Sequence, residues 1–109
     1  MLQRYLTQAF QHREPRRTMQ LREQLLRNDA TGYIACCHAV AGVDWLSELH
    51  RIACPTLVLA GAQDIGAPPA MARAIHERIP GSGTEVFENA SHLSPFEQPG
   101  AFGHAVQRF

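Results

Sequence analysis

The chain has 109 residues, 45% of them apolar, which is enough for one domain core and excludes a wholly disordered segment. Ten basic and ten acidic residues cancel to a formal charge of zero, and every basic residue is Arg, so neither a nucleic-acid nor an anionic-membrane surface is implied. No apolar run is long enough to span a bilayer, the N-terminus lacks a signal-peptide core, and Cys36, Cys37 and Cys54 form an odd set without CxxC spacing; a cytoplasmic location is expected.

Residues 1–52 read as successive helices. Leu2, Tyr5, Leu6 and Phe10 recur at helical spacing, and Pro15 ends or restarts that element. Met19, Leu21, Leu25 and Leu26 mark a second helix. Asn28 and Asp29 offer caps for a third, which runs through Tyr33, Ile34, Cys37 and Val40 to a stop at Gly42. Asp44 is expected to cap a short fourth helix containing Trp45, Leu46 and Leu49. The run "HREPRR" reads as a solvated helix junction. "CCH" at 36–38 has the residue types of a metal site, yet adjacent side chains on a helix point about 100° apart. Both cysteines therefore read as small residues in a helix core, and no metal is expected.

The texture changes over residues 53–109. Pro55 precedes "TLVLAG", an unbroken run of β-formers expected for a strand buried on both faces. Pro68 and Pro69 suit the first turn of a helix with an apolar stripe of Met71, Ile75 and Ile79. "PGSG" stops it, "TEVFE" is a second strand, and "NASHLS" is the loop that follows. "SPFEQ" has the form of a capping box, with Ser94 as cap and Glu97 reaching back. A last helix after Pro99 carries Phe102, Val106 and Phe109 on one face. Strands over 56–60 and 84–88 around a helix over 69–79 make a βαβ unit, with parallel strands and a right-handed crossover. The fold class is α/β: a helical segment, then a parallel βαβ unit and a C-terminal helix. Few contacts are expected between residues 1–52 and that unit beyond the junction near Cys54.

The loop in "LVLAGAQDIGAPP" resembles the start of a phosphate cradle, but Gly66 is followed by Ala67 and Pro68 where a P-loop needs Lys and Ser or Thr. Pro68 and Pro69 have no N–H to offer an anion. The loop instead presents Asp64 at the carboxyl end of a strand, where open α/β sheets place their chemistry. His92 follows the next strand, so parallel pairing brings the two loops to one sheet edge. A carboxylate beside an imidazole fixes its tautomer and leaves the other nitrogen as a base.

The segment "PTLVLAGAQDIGAPPAMARAIHERIPGSGTEVFENASHLSPFEQPGAF" resembles the carboxyl-terminal part of α/β-hydrolases, whose triad runs nucleophile, acid, histidine along the chain. More narrowly it resembles 3-oxoadipate enol-lactonases of the β-ketoadipate pathway of aromatic catabolism, through "AxHLSxxEQP" around the histidine. The upstream "GYIACCHAVAGVDW" is similar to their helical cap. The resemblance implies a cap segment at 1–52 and a core part at 53–109, with Asp64 as triad acid and His92 as triad base. It implies Tyr33 and Trp45 as cap residues facing substrate, a lactone or ester as substrate, and no metal or organic cofactor. Perhydrolases, C–C bond hydrolases and epoxide hydrolases share much of this pattern.

The departure is the absence of any G-x-S-x-G. Ser47, Ser82, Ser91 and Ser94 all lie outside a strand–nucleophile–helix context, and Ser91 is too close to His92 in sequence to face the same reacting atom. The expectation is therefore the second half of an enzyme, inactive alone, which needs an N-terminal half with the nucleophile elbow and oxyanion hole. A bare sheet edge would also favour self-association. The competing reading is a non-catalytic remnant or interaction module.

Overall fold

The structure is a computed structural model that describes residues 2–109. Helices α1 (Leu2–Tyr5), α2 (Gln8–Arg13), α3 (Pro15–Leu26) and α4 (Ala30–Ala41) lead to a 3-10 helix (Leu46–Arg51). Strand β1 (Leu57–Gly61), helix α5 (Pro69–His76) and strand β2 (Gly83–Phe87) follow, then α6 (Ser94–Glu97) and α7 (Pro99–Arg108). The strands lie parallel in the register Leu57↔Gly83 to Gly61↔Phe87, and α5 packs on both. The expected βαβ unit is present, each strand displaced by one residue from its expected limits.

The first apolar stripe forms two helices where the spacing suggested one. Thr7 adopts an extended backbone (φ −64°, ψ 151°), and its Oγ1 accepts the Phe10 N–H at 3.1 Å, so it caps α2. The break still turns Leu6 and Phe10 inward, where they meet Leu21 and, from the far end of the chain, Leu93 and Phe96. Residues 1–52 are thus not isolated from the rest. Their contacts run to the loop and short helix that follow β2, so few are made with the βαβ unit itself, as expected. Arg17 also departs from its solvated reading. Its guanidinium lies 4.5 Å from the Phe96 ring centroid and 5.2 Å from that of Phe10, and it donates to the Phe96 carbonyl at 2.7 Å.

Beyond α3 the helical segment is open. Asp29 caps α4 through the Gly32 N–H at 2.6 Å, as its position suggested. No residue of α4 is buried, so Cys36 and Cys37 are exposed, against the core-packing expectation. This apolar helix is exposed along its whole length. Gly42 ends α4 in a right-handed conformation (φ −87°), so it serves as no left-handed stop. Nor does Asp44 cap the next element, which begins after Trp45 without a side-chain cap.

Strand β1 is less buried than its composition suggested: Leu57 to Leu59 are half-buried and only Ala60 and Gly61 are buried. With β2 on one edge and α5 over it, its other edge carries no strand among the described residues. A second core joins Phe87, Ala90 and Ala105, with Leu59 and Phe102 against it. In α7 the buried face is therefore Phe102 and Ala105, while Val106 and Phe109 are exposed. Among the described residues no helix is long and apolar enough to cross a membrane.

Candidate active site

Parallel pairing carries the ends of β1 and β2 to the same sheet edge, and the two loops meet there. Gly61 makes the close approach possible, since a Cβ on it would lie 2.2 Å from the Ser91 carbonyl oxygen. The Gln63 N–H donates to the Ala90 carbonyl at 2.9 Å, tying the loops together one residue before Asp64.

Asp64 is 7% exposed and accepts three hydrogen bonds. Oδ1 takes the N–H groups of Gly66 (2.8 Å) and Ala67 (2.9 Å), an Asx-type turn that orients the carboxylate. Oδ2 accepts from His92 Nδ1 at 2.7 Å. Burial alone pushes the Asp64 carboxyl up; the Ala67 N–H, the His92 hydrogen bond, the Gly66 N–H and the imidazole charge together outweigh it and hold Asp64 below its ordinary value. An ionised Asp64 can only accept, so Nδ1 of His92 carries a proton, and in the neutral ring Nε2 is left with the lone pair. The His92 side chain is 44% exposed against 6% for Asp64, so the acid is buried while the base reaches open space.

That space is a cavity of about 570 Å³ lined by Arg4, Tyr5, Tyr33, Val40, Met71 and His92 among others. Tyr33 is thus brought to the histidine. Trp45 is not: it lines a neighbouring cleft of about 340 Å³, which shares only Met71 with the first. The Tyr33 phenol is pushed up from its ordinary value, first by the Tyr5 phenol and then by Cys37. A further groove of about 240 Å³ runs along Val58–Gly61 to Asp64, His92 and Ser94. Among the described residues no serine hydroxyl hydrogen-bonds to His92. Ser91, 1% exposed, donates from its Oγ to the Gln63 carbonyl at 3.3 Å, as a loop brace rather than a nucleophile. No group of three or more His, Cys, Asp or Glu among the described residues is arranged to hold a metal.

Two contacts escape the sequence. The Tyr5 ring stands edge-on to His92 with centroids 5.7 Å apart, and the Tyr5 carbonyl accepts the Leu93 N–H at 3.1 Å. Glu97 does not reach back to Ser94, which is itself the first residue of α6 and forms no capping box. Its carboxylate spans instead to Thr7 and Ser91. Tyr5 sits 87 positions before His92, so no local pattern announces that contact.

A buried carboxylate bonded to an exposed histidine thus lies at the carboxyl ends of two parallel strands. No protein-family model matches the sequence. The chain is 42% identical over 104 residues to 3-oxoadipate enol-lactonase 2 of Acinetobacter baylyi, covering 95% of this chain and 39% of that enzyme. It superimposes with a TM-score of 0.93 on the enol-lactonase of Burkholderia xenovorans, 33% identical, over 98% of this chain and 41% of the other. A thermophilic esterase of Thermogutta terrifontis gives a TM-score of 0.90 at 30% identity, over 99% of this chain and 40% of its own. The chain belongs to the α/β-hydrolase superfamily. Over most of its own length it is homologous to 3-oxoadipate enol-lactonase, while spanning about two fifths of the relatives' length.

Proposed function

We propose that the chain supplies the acid and base of a serine-type triad to an enol-lactone hydrolase, with the nucleophile contributed by sequence outside these 109 residues. The observation that carries this reading is the 2.7 Å contact between Asp64 Oδ2 and His92 Nδ1, with the acid buried and the base facing a cavity. Nε2 of His92 would take the proton of a serine hydroxyl as its oxygen attacks the lactone carbonyl, then return it to the leaving enolate oxygen. Water, deprotonated by the same nitrogen, would then hydrolyse the acyl-enzyme. Asp64 holds the tautomer and stabilises the imidazolium; this chemistry calls for neither metal nor organic cofactor.

The cavity suits a small anionic substrate. Its walls are largely apolar, and among the described residues its one Arg or Lys lining residue is Arg4, which makes no ion pair. Arg4 is our assignment for a substrate carboxylate, and Tyr33 for a wall of the pocket. The names of the enol-lactonase relatives and the malate bound to the Thermogutta esterase both support a carboxylate-bearing ligand. The nucleophile-bearing part would seat along the open edge of β1 and the groove that ends at His92.

The test is reconstitution. The chain is mixed with a separately expressed amino-terminal part of the Acinetobacter relative, and turnover of an enol-lactone and of a nitrophenyl ester is followed. Turnover is expected only from the mixture, falling by roughly 10³-fold or more with His92→Ala. Turnover that survives His92→Ala would overturn the assignment, and a mixture active on the simple ester alone would replace the lactone by an ester substrate.

A further inference from the structure

Glu97 is an ionisable side chain that the proposed reaction leaves unused. It is 4% exposed, and among the described residues no Arg or His lies within ion-pair distance of it. Its partners are donors alone: Oε1 accepts both the Thr7 N–H and the Thr7 Oγ1–H at 2.8 Å, and Oε2 accepts the Ser91 N–H at 2.5 Å. Thr7 lies at the break between α1 and α2. Ser91 is the residue before His92, and its own hydroxyl donates to Gln63, the residue before Asp64.

These bonds form one continuous tie from the helix break through Glu97 to the histidine loop and on to the acid loop. The Leu93 N–H, bound to the Tyr5 carbonyl, closes the other side. His92 is thereby held at both neighbouring residues, directly at Leu93 and through Glu97 at Ser91, by the segment that also carries Arg4 and Tyr5 into the cavity. We infer that Glu97 is a positioning residue: it latches the α1–α2 break to the histidine loop, and so holds His92 Nδ1 on Asp64 and sets the cavity wall relative to the base. The inference rests on the triad reading for its catalytic meaning, but its geometry stands apart from the reaction.

Glu97→Gln is the informative change because it conserves volume while removing one acceptor. A carboxylate offers two oxygens to the two backbone N–H groups, whereas an amide offers one oxygen and an NH₂ that cannot accept. Whichever way the amide turns, the N–H of Thr7 or of Ser91 is left unpaired. The measurement is NMR of the ¹⁵N-labelled chain, following the low-field Nδ1–H proton of His92 and the exchange of the Ser91 amide. With the β1–β2 amides unchanged, solvent exchange at both positions is expected to rise about tenfold or more. Thr7→Ser, which keeps both donors, should match the parent, and Thr7→Val should move the His92 proton in the same direction as Glu97→Gln but less.

A folded Glu97→Gln chain with both exchange rates within about twofold of the parent overturns the latch. Should Glu97→Gln fail to fold, Thr7→Val and Thr7→Ser giving identical His92 signals overturns it as well. No turnover is measured, so a failed reconstitution counts against the hydrolase reading alone and a silent Glu97→Gln counts against the latch alone.

Discussion

Gly61→Ala concentrates the structural argument in one methyl group. A Cβ at this position would stand 2.2 Å from the Ser91 carbonyl oxygen, 2.6 Å from that of Ala90 and 2.8 Å from the Ala90 carbonyl carbon. All three are backbone atoms, so no rotamer change relieves the overlap; the loop after β2 must retreat by about 1 Å to reach ordinary contact distance. Two effects oppose each other. Removing a glycine restricts the unfolded chain and stabilises by about 0.4–1 kcal/mol. Overpacking costs about 1–3 kcal/mol, and here the retreat also strains the Gln63 N–H to Ala90 bond, worth about 1 kcal/mol. The clash wins, leaving a net destabilisation of about 2–3 kcal/mol. In urea, with a slope of about 1–3 kcal/mol per molar, the unfolding midpoint should fall by about 1 M or more. The same retreat draws His92 away from Asp64, so the low-field His92 proton should vanish in the remaining folded population. A midpoint that stays or rises, with that proton retained, would refute the view that the close approach at Gly61 assembles the pair.

Asp64 is held below its ordinary pKa, so on acidification the unfolded chain takes up this proton before the native state does. Its stabilisation is complete above about pH 4 and is lost as pH falls through the lower native value. Asp64→Asn should therefore flatten the acid limb of the stability profile, and an unchanged limb in urea titrations across that range would contradict the hydrogen-bonded carboxylate. The chain alone should hydrolyse neither an enol-lactone nor a nitrophenyl ester above the rate of its His92→Ala variant, since it carries no nucleophile elbow; activity lost in that variant would direct attention to Ser94, which lines the groove beside His92. Ile34 is 55% exposed on the uncovered α4, so Ile34→Asp should change stability by less than about 1 kcal/mol and weaken self-association. Sedimentation showing the parent monomeric throughout would remove that expectation.

What could be read from residues was what local rules govern. The prolines at 15, 69 and 99 each open a helix where Pro is tolerated, Asp29 caps as its position suggests, and the run 57–61 and its partner 83–87 pair in parallel. Once the strands were placed, the Asp64–His92 meeting followed from topology, because parallel strands return their carboxyl ends to one edge. Misreadings fell where a side chain had two partners to choose from. Glu97 is three residues after Ser94, the spacing of a capping box, but a buried carboxylate gains more from two backbone N–H groups and a hydroxyl than from one cap.

Burial departs from the sequence expectation for a related reason. Apolar periodicity in α4 and the run in β1 report what a residue can bury, while actual burial depends on which surfaces arrive to cover it. Cys36, Ile34 and Val40 stay exposed because no element among the described residues covers α4 closely enough to bury it. Arg17, read as solvated, is half-buried because Phe10 and Phe96 come together beneath its guanidinium from opposite ends of the chain. The sequence by itself determined the order of the elements, the parallel pair and the meeting of Asp64 with His92, all set by short-range propensity and strand direction. The tertiary structure alone decided that Tyr5, Thr7 and Glu97 frame the histidine and that Tyr33 rather than Trp45 faces it, because those contacts depend on how separated segments pack, and no local periodicity encodes that.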